Sequence, residues 1–218
     1  MTLDAGTGSA RRILLATTNQ NKLREIRPLM TATHGSPHQA IAWELVTLAD
    51  LDPVPEPEET GATFWENARI KALAYAQSSG LITVAEDSGF EVDALGGEPG
   101  VRSARFLGAS AGYEERFAEI YQRLNGRPSA SRFVTALAVA RGSELLFETE
   151  TTVEGMVAES PRGRHGFGYD PIFLYLPAGT TTAAMPDDDK AAISHRGRAF
   201  RDLRRWLASE PAQLSRFA

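Results

Sequence analysis

Apolar positions along this chain fall into two periods. Residues 11–16 carry the run Ile13-Leu14-Leu15-Ala16, which predicts a buried strand, and over 20–30 the spacing of Leu23, Ile26 and Met30 predicts a helix. The first unit is therefore strand, polar turn, helix. Residues 46–57 are rich in proline and acid and predict an exposed loop. Over 63–79, Phe64, Ala68, Leu73 and Ala76 lie near one helical face, and Gly80 marks the end. Short apolar runs at 81–85 and 90–95 predict two strands separated by Glu86-Asp87-Ser88-Gly89, where Ser-Gly permits a tight turn. A helix follows at 113–124. Two long strands at 131–140 and 144–157 predict a hairpin around Gly142. A glycine-rich loop spans 161–171, and a last helix runs from the acidic stretch 187–189 to 207, its acidic first turn suiting the helix dipole. Strands and helices alternate, so the predicted class is α/β with a mixed sheet.

Composition narrows this only a little. The 218 residues fit one domain, expected over 11–218, behind a small polar tail at 1–10 expected to be disordered. No apolar run reaches membrane-spanning length, and residues 1–10, which lack a charged region followed by an apolar core, are not expected to be a signal peptide. Cysteine is absent, which excludes disulfides, thiolate metal sites and a cysteine nucleophile and agrees with a cytoplasmic setting. The net charge of −5 argues against broad nucleic-acid binding. A polyphosphate site in such a chain needs its own local positive charge.

Four segments carry candidate chemistry. At Thr17-Thr18-Asn19-Gln20-Asn21-Lys22 a strand gives way to a helix start, whose free N–H groups favour anions, with a mobile lysine added. An ordinary helix cap accounts for the same residues. Glu86 and Asp87 close an apolar run, and with Glu58, Glu59 and Glu66 they offer carboxylates for a hard divalent cation, which needs only one or two beside phosphate oxygens. In Phe167-Gly168-Tyr169-Asp170-Pro171, either aromatic can stack on a base and Asp170 can accept from a ring N–H, or the aromatics can simply fill the core. Lys190, His195 and Arg196 lie on the last predicted helix, Lys190 for a phosphate or the base and the other two for a base edge. No Walker loop, G-x-S-x-G elbow, HExxH pair or G-x-G-x-x-G fingerprint is present.

Taken in order, longer stretches resemble the inosine triphosphate pyrophosphatase family. They are 14–19 with Lys22, Glu59-Thr60-Gly61-Ala62-Thr63-Phe64 with Glu66-Asn67-Ala68, Asp87-Ser88-Gly89, 94–101, Ser103-Ala104-Arg105-Phe106, 166–173 and Ser194-His195-Arg196-Gly197. The resemblance implies an elongated, two-lobed α/β fold with a cleft between the lobes, usually a homodimer. It implies hydrolysis of dITP, ITP and XTP to the monophosphate and pyrophosphate with Mg2+. Carried over by position, residues 17–22 hold the phosphates, Asp87 is general base or metal residue, and Glu59 is a second metal ligand. Ser88 touches substrate, Phe167, Gly168, Tyr169 and Asp170 hold the base, and Lys190, His195 and Arg196 complete the base site. The chain departs from the family pattern at Thr18 for glycine, Glu86 for aspartate, and the acidic run before Lys190. A pyrophosphatase for pyrimidine or modified nucleotides, or a non-catalytic nucleotide sensor or RNA-binding module on the same fold, are the alternatives.

Overall fold

The computed structural model describes residues 11–31 and 43–209; the tail at 1–10 lies outside them. Seven strands form one mixed sheet in the order β2-β1-β3-β4-β5-β6-β7. Strand β1 (Arg11–Leu15) leads into helix α1 (Gln20–Thr31), and the chain returns as β2 (Trp43–Thr47), parallel to β1 on its outer side. Helix α2 (Phe64–Ser79) then carries it to β3 (Ile82–Val92), parallel to β1 on the other side. The order 2-1-3 makes the end of β1 a topological switch point, where a crevice opens beyond the carboxyl ends of the strands. After α3 (Tyr113–Leu124), β4 (Ala130–Arg141) and β5 (Glu144–Val157) form the expected antiparallel hairpin. The short strands β6 (Phe173–Tyr175) and β7 (Thr180–Thr181) and helices α4 (Asp187–Ile193) and α5 (His195–Ser209) complete the α/β fold.

Strand alternation sorts the core into separate masses. Ile13, Leu15, Ile82, Val84, Leu137 and Val139 pack on one face against Leu23 and Ile26 of α1 and Phe200 and Leu203 of α5. Leu14, Ala85, Ala136 and Ala138 pack on the other against Ala68, Ala72, Tyr75 and Ala76 of α2. The alanine row lets α2 lie close on the sheet. β3 and β4 run on into a second lobe, where Phe90, Phe133 and Phe173 meet Phe117 and Ile120 of α3 and the ring of Tyr169.

The structure corrects three element boundaries. The two strands expected at 81–85 and 90–95 are one, because β4 pairs β3 without a break from Thr83↔Ala140 to Val92↔Ser131. Glu86 to Gly89 therefore lie within a strand, not in a turn. Gly89 serves a close approach instead: a Cβ there would sit 2.5 Å from Gly100 O, 2.6 Å from Ser103 Oγ and 2.8 Å from Phe64. The helix expected over 187–207 breaks at Ser194, which is extended; its N–H closes α4 on Lys190 O at 2.9 Å and its Oγ accepts Gly197 N at 3.0 Å. The loop expected from 46 begins only after β2 and a 3-10 turn at Leu48–Asp50.

Replacing Gly89 with Ala forces backbone and a buried ring apart, an overpacking cost of about 1–3 kcal/mol. Thermal unfolding of Gly89→Ala should show a clear drop in Tm; an unchanged Tm contradicts this account of Gly89.

Candidate active site

β1 ends at Leu15, opposite Val84, so β3 from Ala85 onward has no β1 neighbour. A cavity of about 290 Å3 fills that space, walled by the start of α1, by α2, by β3 and by the segment 101–105. The loop 167–170, Lys190, His195 and Arg196 close it from the second lobe. At the α1 start, Asn19 Oδ1 accepts the N–H groups of Asn21 at 2.9 Å and Lys22 at 3.2 Å, so the cap is real. Thr17, Thr18, Asn19 and Lys22 also face the cavity, whereas Gln20 and Asn21 are exposed and off its wall.

The adjacent acids of β3 point to opposite faces, as neighbouring strand residues must. Asp87 faces α2. Its Oδ1 accepts Lys71 Nζ at 2.9 Å and its Oδ2 accepts Asn67 Nδ2 at 3.2 Å. Lys71 Nζ also reaches Glu59 Oε1 at 2.6 Å, and Glu59 Oε2 lies 3.5 Å from Arg105. Burial pushes the Asp87 carboxyl up, against the opposing pull of Lys71 and Lys22. Glu86 faces α5 instead. Its Oε1 accepts Arg196 Nε at 2.7 Å and lies 3.8 Å from Lys22 Nζ. Burial works against its ionised form, yet Arg196 and Lys22 hold its pKa down at about 2.

The charge row continues into the second lobe. Arg196 NH1 donates to Glu25 Oε2 at 2.5 Å and NH2 to Ser88 Oγ at 3.0 Å. Glu25 Oε1 accepts Lys190 Nζ at 2.6 Å, and Lys190 Nζ also donates to Asp170 Oδ2 at 2.5 Å. Asp170 Oδ2 also accepts Phe167 N at 2.8 Å, and its Oδ1 accepts Thr182 Oγ1 at 2.8 Å. Its carboxylate thus shapes the loop and anchors Lys190, with all its partners inside the protein. Tyr169 is 3% exposed, stacked on Phe90 at 5.0 Å, with its hydroxyl donating to Ser103 O at 3.0 Å. Phe167 is the half-buried aromatic on the wall, with Lys190 Nζ 5.5 Å and Arg196 Cζ 5.4 Å from its ring centre. His195 is stacked on Phe133 at 4.7 Å.

Among the described residues, no three His, Asp or Glu side chains gather as metal ligands. Glu59 and Asp87 nonetheless converge on one Lys71 Nζ, so two hard oxygen donors from separate segments meet at the cavity. That set fits a magnesium ion that takes its other ligands from phosphate and water. Glu66 is elsewhere engaged: its Oε2 accepts Ala62 N at 2.6 Å and Thr63 N at 3.2 Å, completing a capping box with Thr63. Glu58 is exposed, and Glu86 is held by Arg196.

Sequence reasoning missed Glu25, Asn67 and Lys71. The signals were present: Glu25 follows Lys22 at helical spacing, and Asn67 and Lys71 break the apolar stripe of Ala68, Ala72 and Ala76.

A sequence model of the Ham1 family matches residues 13–206. A dITP/XTP pyrophosphatase from Symbiobacterium thermophilum is 46% identical over 212 residues, covering 94% of this chain and 98% of its own. Another from an Exiguobacterium species is 40% identical over 193 residues, covering 88% and 94%. The structure of a HAM1 protein from Coxiella burnetii superposes with a TM-score of 0.81 at 34% identity, covering 91% of this chain and 99% of that one.

Burial, reinforced by Arg196, keeps the His195 ring neutral, its pKa well below the usual range. The stability this contributes is complete above the unfolded-chain pKa of about 6.5 and is lost as the pH falls below it, because only the unfolded chain takes up the proton. Between pH 7.5 and 5.5, urea unfolding of the wild type should lose about 1.4 kcal/mol more stability than that of His195→Phe, which keeps the stack. Equal losses contradict a neutral buried ring.

Proposed function

This chain belongs to the Ham1 family, and from that membership and the geometry of the cleft we propose that it hydrolyses non-standard purine nucleoside triphosphates. The substrates are dITP, ITP and XTP, the products the monophosphate and pyrophosphate, and the effect is removal of these nucleotides from the cytoplasmic pool. One observation carries the base assignment: the wall formed by Phe167, Lys190 and Arg196 has its carboxylates already engaged. Asp170 and Glu25 accept from Lys190, Arg196, Thr182 and Phe167 N, while the cations keep N–H groups beyond those bonds. Such a wall offers donors. Hypoxanthine and xanthine present a 6-oxo acceptor to it; adenine presents a 6-amino donor, which leaves buried donors unpaired and is penalised. The Phe167 ring supplies a face for stacking.

At the phosphate end, Thr17, Thr18 and Asn19, just before the first turn of α1, receive the phosphate oxygens, and Lys22 adds charge. Burial lowers the Lys22 pKa, and Glu86 opposes that shift, so the lysine gains from an anionic neighbour. Asn67 and Lys71 fix both oxygens of Asp87, and burial makes this carboxylate more basic than a free one. Asp87 takes a proton from the attacking water as a P–O bond forms. The P–O bond to the leaving pyrophosphate breaks with its electron pair, and Lys22 stabilises the charge released. Glu59 and Asp87 would hold Mg2+, which when bound would neutralise phosphate charge. A homodimer belongs to the same reading. Sedimentation at twice the chain mass supports it, and sedimentation at the chain mass removes it. No helix among the described residues is long and apolar enough to cross a membrane.

With dITP and Mg2+, the purified protein should release monophosphate and pyrophosphate in equal amounts and no orthophosphate. Orthophosphate as the first product, or no product from dITP, ITP or XTP, overturns the reading. Asp87→Asn keeps the shape and one acceptor but loses the base; kcat should fall by about 100-fold or more with Tm little changed. Glu59→Gln should raise the Mg2+ concentration needed for half-maximal rate, whereas Glu66→Gln, altered only at a helix cap, should leave it unchanged.

A further inference from the structure

The phosphate end of the cavity has a charge problem that the residues named so far do not resolve. A nucleoside triphosphate brings several negative charges to a place where Glu59 and Asp87 already stand. Lys71 directs two of its three N–H groups to those carboxylates, at 2.6 Å and 2.9 Å. Lys22 is the second lysine there, and it lies 3.8 Å from Glu86, so both lysines already face carboxylates.

Arg105 stands at the same place. It lines the cavity from the end of the 3-10 segment Gly100–Arg105. Its NH1 lies 3.5 Å from Glu59 Oε2, and its guanidinium makes no hydrogen bond among the described residues. The side chain is 49% exposed, so this loose pair with Glu59 contributes little to stability. A solvated arginine beside a carboxylate would need nothing more.

The backbone beneath it is built differently from that of a surface arginine. Ser103 is 7% exposed; its Oγ accepts Phe90 N at 2.8 Å and donates to Gly100 O at 2.6 Å, and its carbonyl accepts the Tyr169 hydroxyl. On the other side of Arg105, the carbonyl of Phe106 accepts buried Arg116 Nε at 2.9 Å, and Gly108 O accepts Arg116 NH2 at 3.3 Å. Gly89, with no side chain, lets the whole segment lie against β3. Buried anchors on both sides thus fix the base of a side chain whose charged fork is left free at the cavity. A guanidinium presents its donors in a plane that matches two phosphate oxygens at once.

We propose that Arg105 is a phosphate-binding residue of this site, exchanging its loose contact with Glu59 for the β- and γ-phosphates of the substrate. The proposal rests on the triphosphate reading above and adds a residue to it. Charge-assisted bonds of this kind correspond to about 10- to 100-fold in affinity.

The test compares wild type, Arg105→Ala and Arg105→Lys in three measurements with Mg2+ present: calorimetric binding of inorganic pyrophosphate, calorimetric binding of inosine monophosphate, and kcat and KM for ITP. Arg105→Ala should bind pyrophosphate about 10- to 100-fold more weakly and lose a similar factor in kcat/KM. Its monophosphate affinity and Tm should stay at the wild-type values, and Arg105→Lys should recover part of the pyrophosphate affinity. Pyrophosphate binding and kcat/KM within twofold of wild type overturn the proposal. So does a loss shared equally by the monophosphate, or a loss that tracks a lowered Tm or a changed sedimentation coefficient, because Arg105 also borders the open groove next to the cavity. If the wild type binds pyrophosphate but releases none from ITP, the functional reading fails and the binding comparison still decides Arg105. No binding of pyrophosphate by the wild type overturns the proposal.

Discussion

One row of alternating charges, Lys22, Glu86, Arg196, Glu25, Lys190 and Asp170, runs through the molecule from the start of α1 to the loop before β6. Its members come from α1, β3, α4, α5 and the loop before β6, elements far apart in the chain. Three cations face three anions, so the row is neutral as a whole, and most of its side chains are almost fully buried. Removing one partner from such a pair leaves an uncompensated charge in a poor solvent, at a cost of about 3–5 kcal/mol. The row therefore tolerates one arrangement of its elements, and that arrangement is the cleft.

The second constraint is strand alternation. Glu86 and Asp87 are neighbours in sequence, yet β3 sends them to opposite faces and into separate charge systems. Glu86 joins the row and is held ionised; Asp87 joins Lys71, Asn67 and Glu59 beside the open cavity, where burial raises its pKa. A single step along a strand thus separates a carboxylate locked into the charge row from one that lines the cavity. The same alternation puts Ser88 beside Arg196 and leaves Gly89 facing the segment that carries Arg105.

Much of this was legible in the sequence. The order of elements, the mixed sheet and the segments that form the cleft follow from periodicity and from the resemblance the longer stretches carry. What was not legible depends on partners distant in the chain. Ser88-Gly89 carries a local turn signal, and only the unbroken pairing with β4 shows that the strand continues. Asp170 reads as a base acceptor in sequence, and only the structure shows that it also holds Lys190, Thr182 and Phe167 N. Tyr169 and Phe167 are equivalent candidates in sequence; the pocket in the second lobe for one aromatic ring, against Phe90, separates them. For Lys71 the local signal is only its place on an apolar helical stripe; a lysine in a helix is ordinarily solvated, and the two carboxylates that meet it come from distant segments.

The proposed base selectivity depends on a wall of Phe167, Lys190 and Arg196 that presents donors, its carboxylates being engaged within the protein. The direct measurement is kcat/KM for ITP and for ATP at the same Mg2+ concentration. The account predicts a preference for ITP on the order of 100-fold or more, the scale expected when a mismatched ligand leaves buried polar groups unpaired. A ratio within about threefold, the level of a site that does not read the 6-position, would contradict it.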